Sequence, residues 1–540
     1  MTSQEFKKNT TNLIDDLKGV CANYGLGNDG NEFKIITQVF LYKFLNDKFA
    51  HEVKRIEPAL AKAKSWEDAL RKKSKADYEL ILMQLGADTA RLKPEHFLSS
   101  LWGRQNDKNF AEILDATLLD IAKLNADIFS VKTNDGQKIV LFDAVTQYVA
   151  TQRDAFAKAI INKLIPFSFE RIFAEKFDFY ATLFEYLIKD YNKDGGGKYA
   201  EYYTPHSVAK IMAACLVPKL VKNVTCYDPA AGSGTLLMNL AHAIGEDRCT
   251  IYTQDISQKS SSLLRLNLIL NNLVHSIPHV IQGNTILEPY HKEENGNSLR
   301  KFDYIVSNPP FKLDFSDFRD QLDTKANQKR FFAGIPNIAK KDKDKMAIYL
   351  LFLQHIIHSL DKNGKAAVVV PTGFITAQSG IEKMIRQYLV ENKMLGGVVS
   401  MPSNIFATTG TNVSILFIDA TNRDGVILID ASNLGEKVKE GKNQKTILKP
   451  EEEQAIIKTY NSKQTLKDFS VVVSYEEIGK KNYSLSPGQY FDVILDHVNI
   501  TPQEFKARVH STQKSLKELF CEAKILEGRI FHKLNCLRNG

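Results

Sequence analysis

Cysteine is scarce and never paired: Cys21, Cys215, Cys226, Cys249, Cys521 and Cys536 are the six in 540 residues, and none stands in a CxxC or Cys/His ligand spacing. Neither a zinc site nor a disulfide framework is signalled, which fits a reducing cytoplasm. No apolar run approaches the roughly 18 residues of a membrane span, and the N-terminal stretch Met1 to Lys8 is polar. A soluble intracellular chain is expected. Also missing are the full GxGxxG of dinucleotide binders, the Lys-Ser/Thr of a P-loop and any Pro-Cys pair. These absences weigh against NAD, against ATP-driven translocation, and against a cysteine nucleophile attacking a ring carbon. Strong charge is lacking as well: a net charge of +8 and a pI near 8.8 permit a polyanionic partner without requiring one.

What is present is ordinary globular composition, 44% hydrophobic and 25% charged, in a chain too long for one core. From about Thr10 to Leu183 apolar residues recur at three-to-four spacing, as in Phe33-Ile36-Val39-Phe40 and Ile113-Leu114-Leu118-Ile121, which predicts helices. Gly195-Gly196-Gly197 then marks a hinge or boundary. Beyond it, strand-like runs alternate with helical stretches: 224–227, 250–253, 279–282, 302–306, 365–370, 397–400 and 413–418. That rhythm predicts an α/β fold, a doubly wound, mostly parallel sheet with ligands at the carboxyl ends of its strands. The polar, lysine-rich segment from Lys312 to Lys345 is expected to be a flexible lid that orders on nucleic acid. Apolar residues from Phe505 to Ile530 predict a long helix that pairs with another helix. Expected domains are residues 1–170, helical; 171–480, the sheet; and 481–540, a helical tail.

Two motifs carry chemistry. The first strand ends in Asp228-Pro229-Ala230-Ala231-Gly232-Ser233-Gly234-Thr235 before a helix. Glycines let the backbone approach a ligand, and the helix start offers unpaired N–H groups. An adenosine-containing ligand with an amino-acid tail fits, with Asp228 facing its ammonium, Asp255 after the second strand at the ribose, and Asn284 after the third at the adenine. Glu201-Tyr202-Tyr203-Thr204-Pro205-His206, leading into another helix, would close over that ligand. The second motif is Asn308-Pro309-Pro310-Phe311, after the strand ending at Val306. An aromatic amine is a poor nucleophile while its lone pair is delocalised. The Asn308 side-chain oxygen and the Pro309 carbonyl can each accept one N–H and free that lone pair, while Phe311 stacks on the ring. Two prolines stiffen the turn. A flipped-out base suits such a pocket.

In this order the motifs resemble the S-adenosylmethionine-dependent methyltransferases that make N6-methyladenine in DNA. Together with Met401-Pro402-Ser403-Asn404-Ile405-Phe406-Ala407-Thr408-Thr409-Gly410-Thr411, Leu101-Trp102-Gly103 and the helical tail, they resemble the modification subunit of a type I restriction-modification system over nearly the whole chain. The resemblance implies S-adenosylmethionine as cofactor, held by residues 201–206, Asp228, Gly232, Ser233, Gly234, Thr235 and Asp255, with a target adenine flipped from double-stranded DNA onto Asn308 to Phe311. It also implies a separate specificity subunit, two modification subunits clasping one such subunit, and a restriction and translocase subunit in the full complex. Ala231 stands where the family often has Cys, Asp255 where it often has Glu, and Asn284 where related enzymes have Asp. Competing readings are a methyltransferase acting on a protein glutamine or an RNA amino group, weighed against by the helical flanks, and an inactive assembly subunit, weighed against by the intact Asn308 and Phe311. A dehydrogenase is disfavoured by the incomplete glycine fingerprint.

Overall fold

The computed structural model describes residues 3–27, 30–174, 204–296, 298–406, 412–440, 443–491 and 501–538. The chain forms two compact units, Met1–Phe491 and Asp492–Gly540.

The first unit is built on an eleven-stranded sheet. Its strands, in chain order, are β1 Val131–Thr133, β2 Lys138–Ile139, β3 Val224–Asp228, β4 Cys249–Asp255, β5 Val280–Gln282, β6 Phe302–Ser307, β7 Leu360–Pro371, β8 Leu395–Ser400, β9 Val413–Asp419, β10 Val426–Asp430 and β13 Ser470–Val473. Between the last two, β11 Glu436–Glu440 and β12 Asn443–Ile447 make a separate hairpin. The spatial order is β13-β10-β8-β9-β7-β6-β3-β4-β5-β1-β2. Pairing is parallel except at β1/β2, β7/β9, β8/β9 and β10/β13. All seven strand-like runs of the sequence are strands. Only β9 among them runs against its neighbours, antiparallel to both β7 and β8.

The central strands are apolar and buried on both faces, as parallel strands covered by helices must be. From β3 the chain steps outward through β4 to β5, then jumps back so that β6 pairs with the other side of β3. That reversal opens a crevice at the carboxyl ends of β3 and β6. Helix Thr235–Ile244 buries Leu236, Leu237, Leu240, Ala241 and Ile244, one helical face, and ends at Gly245, whose φ of 106° stops it.

The N-terminal region is helical, as its periodicity predicts, with Gly30–Ile56 buried nearly all round. Two short strands interrupt it and extend the sheet, β1 lying parallel to β5. One apolar cluster runs from Phe6 through the sheet to Ile456. Arg265, on helix Gln258–Leu270 behind the sheet, reinforces this junction by donating to the carbonyls of Phe129, Ile139, Val140 and Leu141 at 2.9–3.4 Å. Burial lowers its pKa to about 10, so it stays charged at neutral pH.

The second unit holds helix Pro502–Arg538, 37 residues long. Thr501 and Glu504 cap its start reciprocally, and Phe505, Val509, Leu516, Leu519, Leu526 and Ile530 are exposed along it.

Candidate active site

The glycine turn hangs between two carboxylates. Asp228, last in β3, is buried, and its Oδ1 accepts the Ala230 N–H at 2.9 Å and the Ser307 hydroxyl at 2.8 Å. Burial raises its pKa to about 7 and the charge of Asp255 adds to this, while the two hydrogen bonds pull the other way. Asp255, last in β4, accepts the Gly232 N–H at 2.9 Å on Oδ2 and the Ser257 N–H at 2.8 Å on Oδ1. Burial raises its pKa too.

Gly232 and Gly234 take φ of 53° and 86°, in the left-handed region that favours glycine. At Gly234 a Cβ would also lie 2.3 Å from Leu264 Cδ1. Asn267 holds the turn from behind, donating to the Ser233 carbonyl at 2.7 Å, and the Ser233 and Thr235 hydroxyls lie 3.2 Å apart. Among the described residues no side chain caps helix Thr235–Ile244, which leaves its first N–H groups uncommitted to a cap. Asn284 Oδ1 accepts the N–H groups of Ile286 and Leu287 at 3.0 and 3.1 Å. An amide oxygen serves there as a carboxylate oxygen would, as an acceptor of backbone N–H groups.

Asn308 follows β6 directly. It is half-buried, and its Nδ2 donates to Thr204 Oγ1 at 3.3 Å, leaving Oδ1 to accept from an incoming N–H. Pro309 is buried and Pro310 exposed. Phe311 is half-buried and meets Tyr349 edge to face, centroids 6.1 Å apart, and Tyr349 meets Phe374 in the same way at 6.3 Å. The structure thus brings Thr204 to Asn308, and through Ser307 joins the second motif to Asp228. Pro205 precedes helix His206–Leu216, and His206 Nδ1 is buried without a hydrogen-bond partner among the described residues. Glu201, Tyr202 and Tyr203 lie outside the described residues, as do Gly195 to Gly197 and residues 407–411 of the Met401–Thr411 motif.

The lysine-rich segment is seated more firmly than a flexible lid. Phe315, Leu322, Phe331, Met346 and Ile348 form an apolar cluster with Ile286, Leu351 and Phe352. Arg330 is buried and forks onto the carbonyls of Thr285 and Ile286, both at 2.7 Å, while its Nε donates to His355 Nδ1 at 3.0 Å. Because arginine only donates, the His355 proton sits on Nε2 and points to the Tyr227 hydroxyl, 3.1 Å away. Lys325, Lys329, Lys340, Lys341, Lys343 and Lys345 remain exposed.

Sequence reasoning gave no role to Ser307, Thr285, Asn267, Tyr349 or Arg330. Thr285 donates to the Pro229 carbonyl at 2.7 Å and so ties the turn after β5 to the glycine turn. The one local sign was Ser307 at the end of the strand before Asn308.

Residues 175–496 match the N-6 DNA Methylase family. The chain belongs to that family. This N-6 DNA methylase is 25% identical over 97% of its length to the type I restriction enzyme MpnII methylase subunit of Mycoplasma pneumoniae, 94% of which is covered. It is 27% identical over 79% of its length to the type I restriction enzyme MjaIX methylase subunit of Methanocaldococcus jannaschii, with 74% of that chain covered. In fold it matches the type I restriction-modification methyltransferase subunit of Streptococcus thermophilus, with a TM-score of 0.71 at 24% identity, over 91% of this chain and 100% of that one. The resemblance to type I modification subunits therefore extends over nearly the whole methylase. A protein or RNA substrate finds no support in these relatives.

As to a cofactor, the residues present fit an adenosine ligand with a charged tail. The glycine turn, the uncapped first helical turn and the Asp255 carboxylate converge on the carboxyl ends of β3 and β4, and His206 adds a buried Nδ1 without a partner among the described residues.

Proposed function

We propose that this chain is the modification subunit of a type I restriction-modification complex and methylates adenine N6 in double-stranded DNA, at a site chosen by a separate specificity subunit. The observation that carries the reading is Asn308 standing at the carboxyl end of β6, beside the glycine turn that ends β3, with the two joined by the Ser307–Asp228 bond.

S-adenosylmethionine, when bound, supplies an electrophilic methyl group. Asp228, Gly232, Ser233, Gly234, Thr235, Asp255 and Asn284 would hold it, with Thr204 to His206 closing the near side. The adenine must leave the stack to reach Asn308. Asn308 Oδ1 and the Pro309 carbonyl then accept the two N–H groups of the amino nitrogen, whose lone pair turns toward the methyl. Phe311, steadied by Tyr349, stacks on the base. The nitrogen itself is the nucleophile, so no covalent enzyme intermediate forms. Helix Pro502–Arg538, with its exposed apolar residues, is the element we assign to subunit association, two copies of this chain to one specificity subunit, with the restriction and translocase subunit joining them in the full complex.

The test is to express the chain with its specificity subunit in a host without adenine methylation and map modified bases in the genome. N6-methyladenine at one recurring motif is expected, with at least about a 100-fold loss of transfer in Asn308→Ala at unchanged cofactor affinity. Near-normal transfer by that variant would sink the role given to Asn308.

A further inference from the structure

The hairpin β11/β12 has no part in the site described above, yet it stands on the same edge of the sheet. β6 is parallel to β7, and β9 runs against both β7 and β8, so β8 ends on the side where β3 and β6 end. The chain leaving β8 passes Ser403 and Asn404, and the hairpin is moored there: Thr446 donates its N–H to the Asn404 carbonyl at 3.0 Å and its hydroxyl to the Ser403 carbonyl at 2.6 Å. The roots of both strands are gripped by one carboxylate, Glu452, which accepts the Gly435 N–H at 3.0 Å and the Lys449 N–H at 2.7 Å. Those backbone bonds, the Lys449 one foremost, hold its pKa below the usual range.

Register decides what the ribbon displays. Lys437 pairs with Thr446 and Lys439 with Gln444, so these four share one face. Thr446, at the base of that face, is turned onto Ser403 and Asn404. Lys437, Lys439 and Gln444 therefore lie farther along the ribbon face whose base meets the chain leaving β8, and all three are exposed. The face holds no acidic and no apolar side chain, and neither lysine has an acidic partner among the described residues. A protein interface needs apolar or aromatic anchors at its centre, which this face lacks. Fixed, exposed lysines on a two-stranded ribbon suit a phosphate backbone.

We infer that the β11/β12 ribbon is a DNA-backbone arm, Lys437 and Lys439 neutralising phosphates of the duplex that flanks the base held at Asn308. The inference rests on the DNA-methylase reading above. It is tested with the full chain assembled on its specificity subunit, by measuring affinity for a duplex containing the mapped motif across a salt series. Lys437→Gln/Lys439→Gln is expected to flatten the slope of log affinity against log salt by about 1.8, two contacts at about 0.9 each. Lys437→Glu/Lys439→Glu is expected to weaken binding at least about tenfold, and Lys437→Arg/Lys439→Arg to behave as the parent, with cofactor affinity the same in all. A parent complex that methylates its motif beside a Gln variant with unchanged affinity and slope would overturn the arm alone. Failure of the Gln variant to join the specificity subunit would overturn it also, and make the ribbon a subunit contact. A parent complex that methylates no DNA would bring down the underlying reading and the arm with it.

Discussion

Ser307, the last residue of β6, donates its hydroxyl to Asp228 Oδ1 across 2.8 Å, so the strand leading to Asn308 and the strand leading to the glycine turn are locked at their carboxyl ends. A shift of either strand would move Asn308 away from the glycine turn; on the function proposed above, that would part the group proposed to grip the target from the turn proposed to hold the methyl donor, and distance matters steeply in such a transfer.

The Asp228 carboxyl, raised to about 7 by burial, has a pH signature. The folded state holds this proton where the unfolded chain has released it, so stability falls as pH rises from about 4 to about 7. Asp228→Asn keeps an oxygen for the Ala230 N–H and the Ser307 hydroxyl but cannot ionise. Its melting temperature is expected to fall less than that of the parent between pH 5 and pH 8, as read by thermal unfolding in a buffer series. Ser307→Ala removes a donor from the buried carboxyl and is expected to cost about 1–3 kcal/mol, most at alkaline pH.

At Gly234, alanine meets two separate obstacles, a left-handed φ and the Leu264 side chain. Gly234→Ala is expected to destabilise by about 1–3 kcal/mol and to weaken cofactor binding, measured by melting and by equilibrium dialysis. Adding Leu264→Ala removes the clash but leaves the backbone strain, and its own cavity costs stability. The double variant should therefore recover cofactor affinity in part and stability little.

Thr204 acts in this structure through Asn308, by accepting its amide N–H. Thr204→Val leaves the amide free to turn. A fall in kcat of roughly 3- to 10-fold, the worth of one hydrogen bond, is expected with KM for the cofactor little changed. A rise in KM alone would instead put the threonine against the cofactor.

Arg330 holds three acceptors with one planar fork, which lysine cannot copy. Arg330→Lys and Arg330→Met are both expected to lower the melting temperature. They should also speed proteolysis between Lys312 and Lys345, because the segment loses its tie to the turn after β5. Equal protease resistance in parent and variants would show that the apolar cluster around Phe331 seats the segment alone.

The strands, the glycine turn and the Asn308 tetrapeptide were legible because each is written in consecutive residues: apolar runs of strand length, glycines at a turn, two prolines after an asparagine. The long terminal helix was legible from its spacing for the same reason. What escaped depends on neighbours distant in the chain. Ser307 finds Asp228 only because β6 returns to pair with β3, and no local pattern announces that return. Phe315, Leu322, Phe331 and Met346 follow no helical or strand period, so a seated segment read as a polar lid, its lysines conspicuous and its anchors scattered. Strands β1 and β2, of three and two residues, are too short to show alternation at all.

Arg265 bears on how such a methylase can be divided. A fragment starting at the glycine turn would keep its guanidinium inside the molecule while discarding the four carbonyls that receive it, all of which belong to residues 129–141. The catalytic half is thus no interchangeable cassette. Grafting it onto another helical partner would require that partner to present carbonyl oxygens at the same place, so the two halves are bound to change in step.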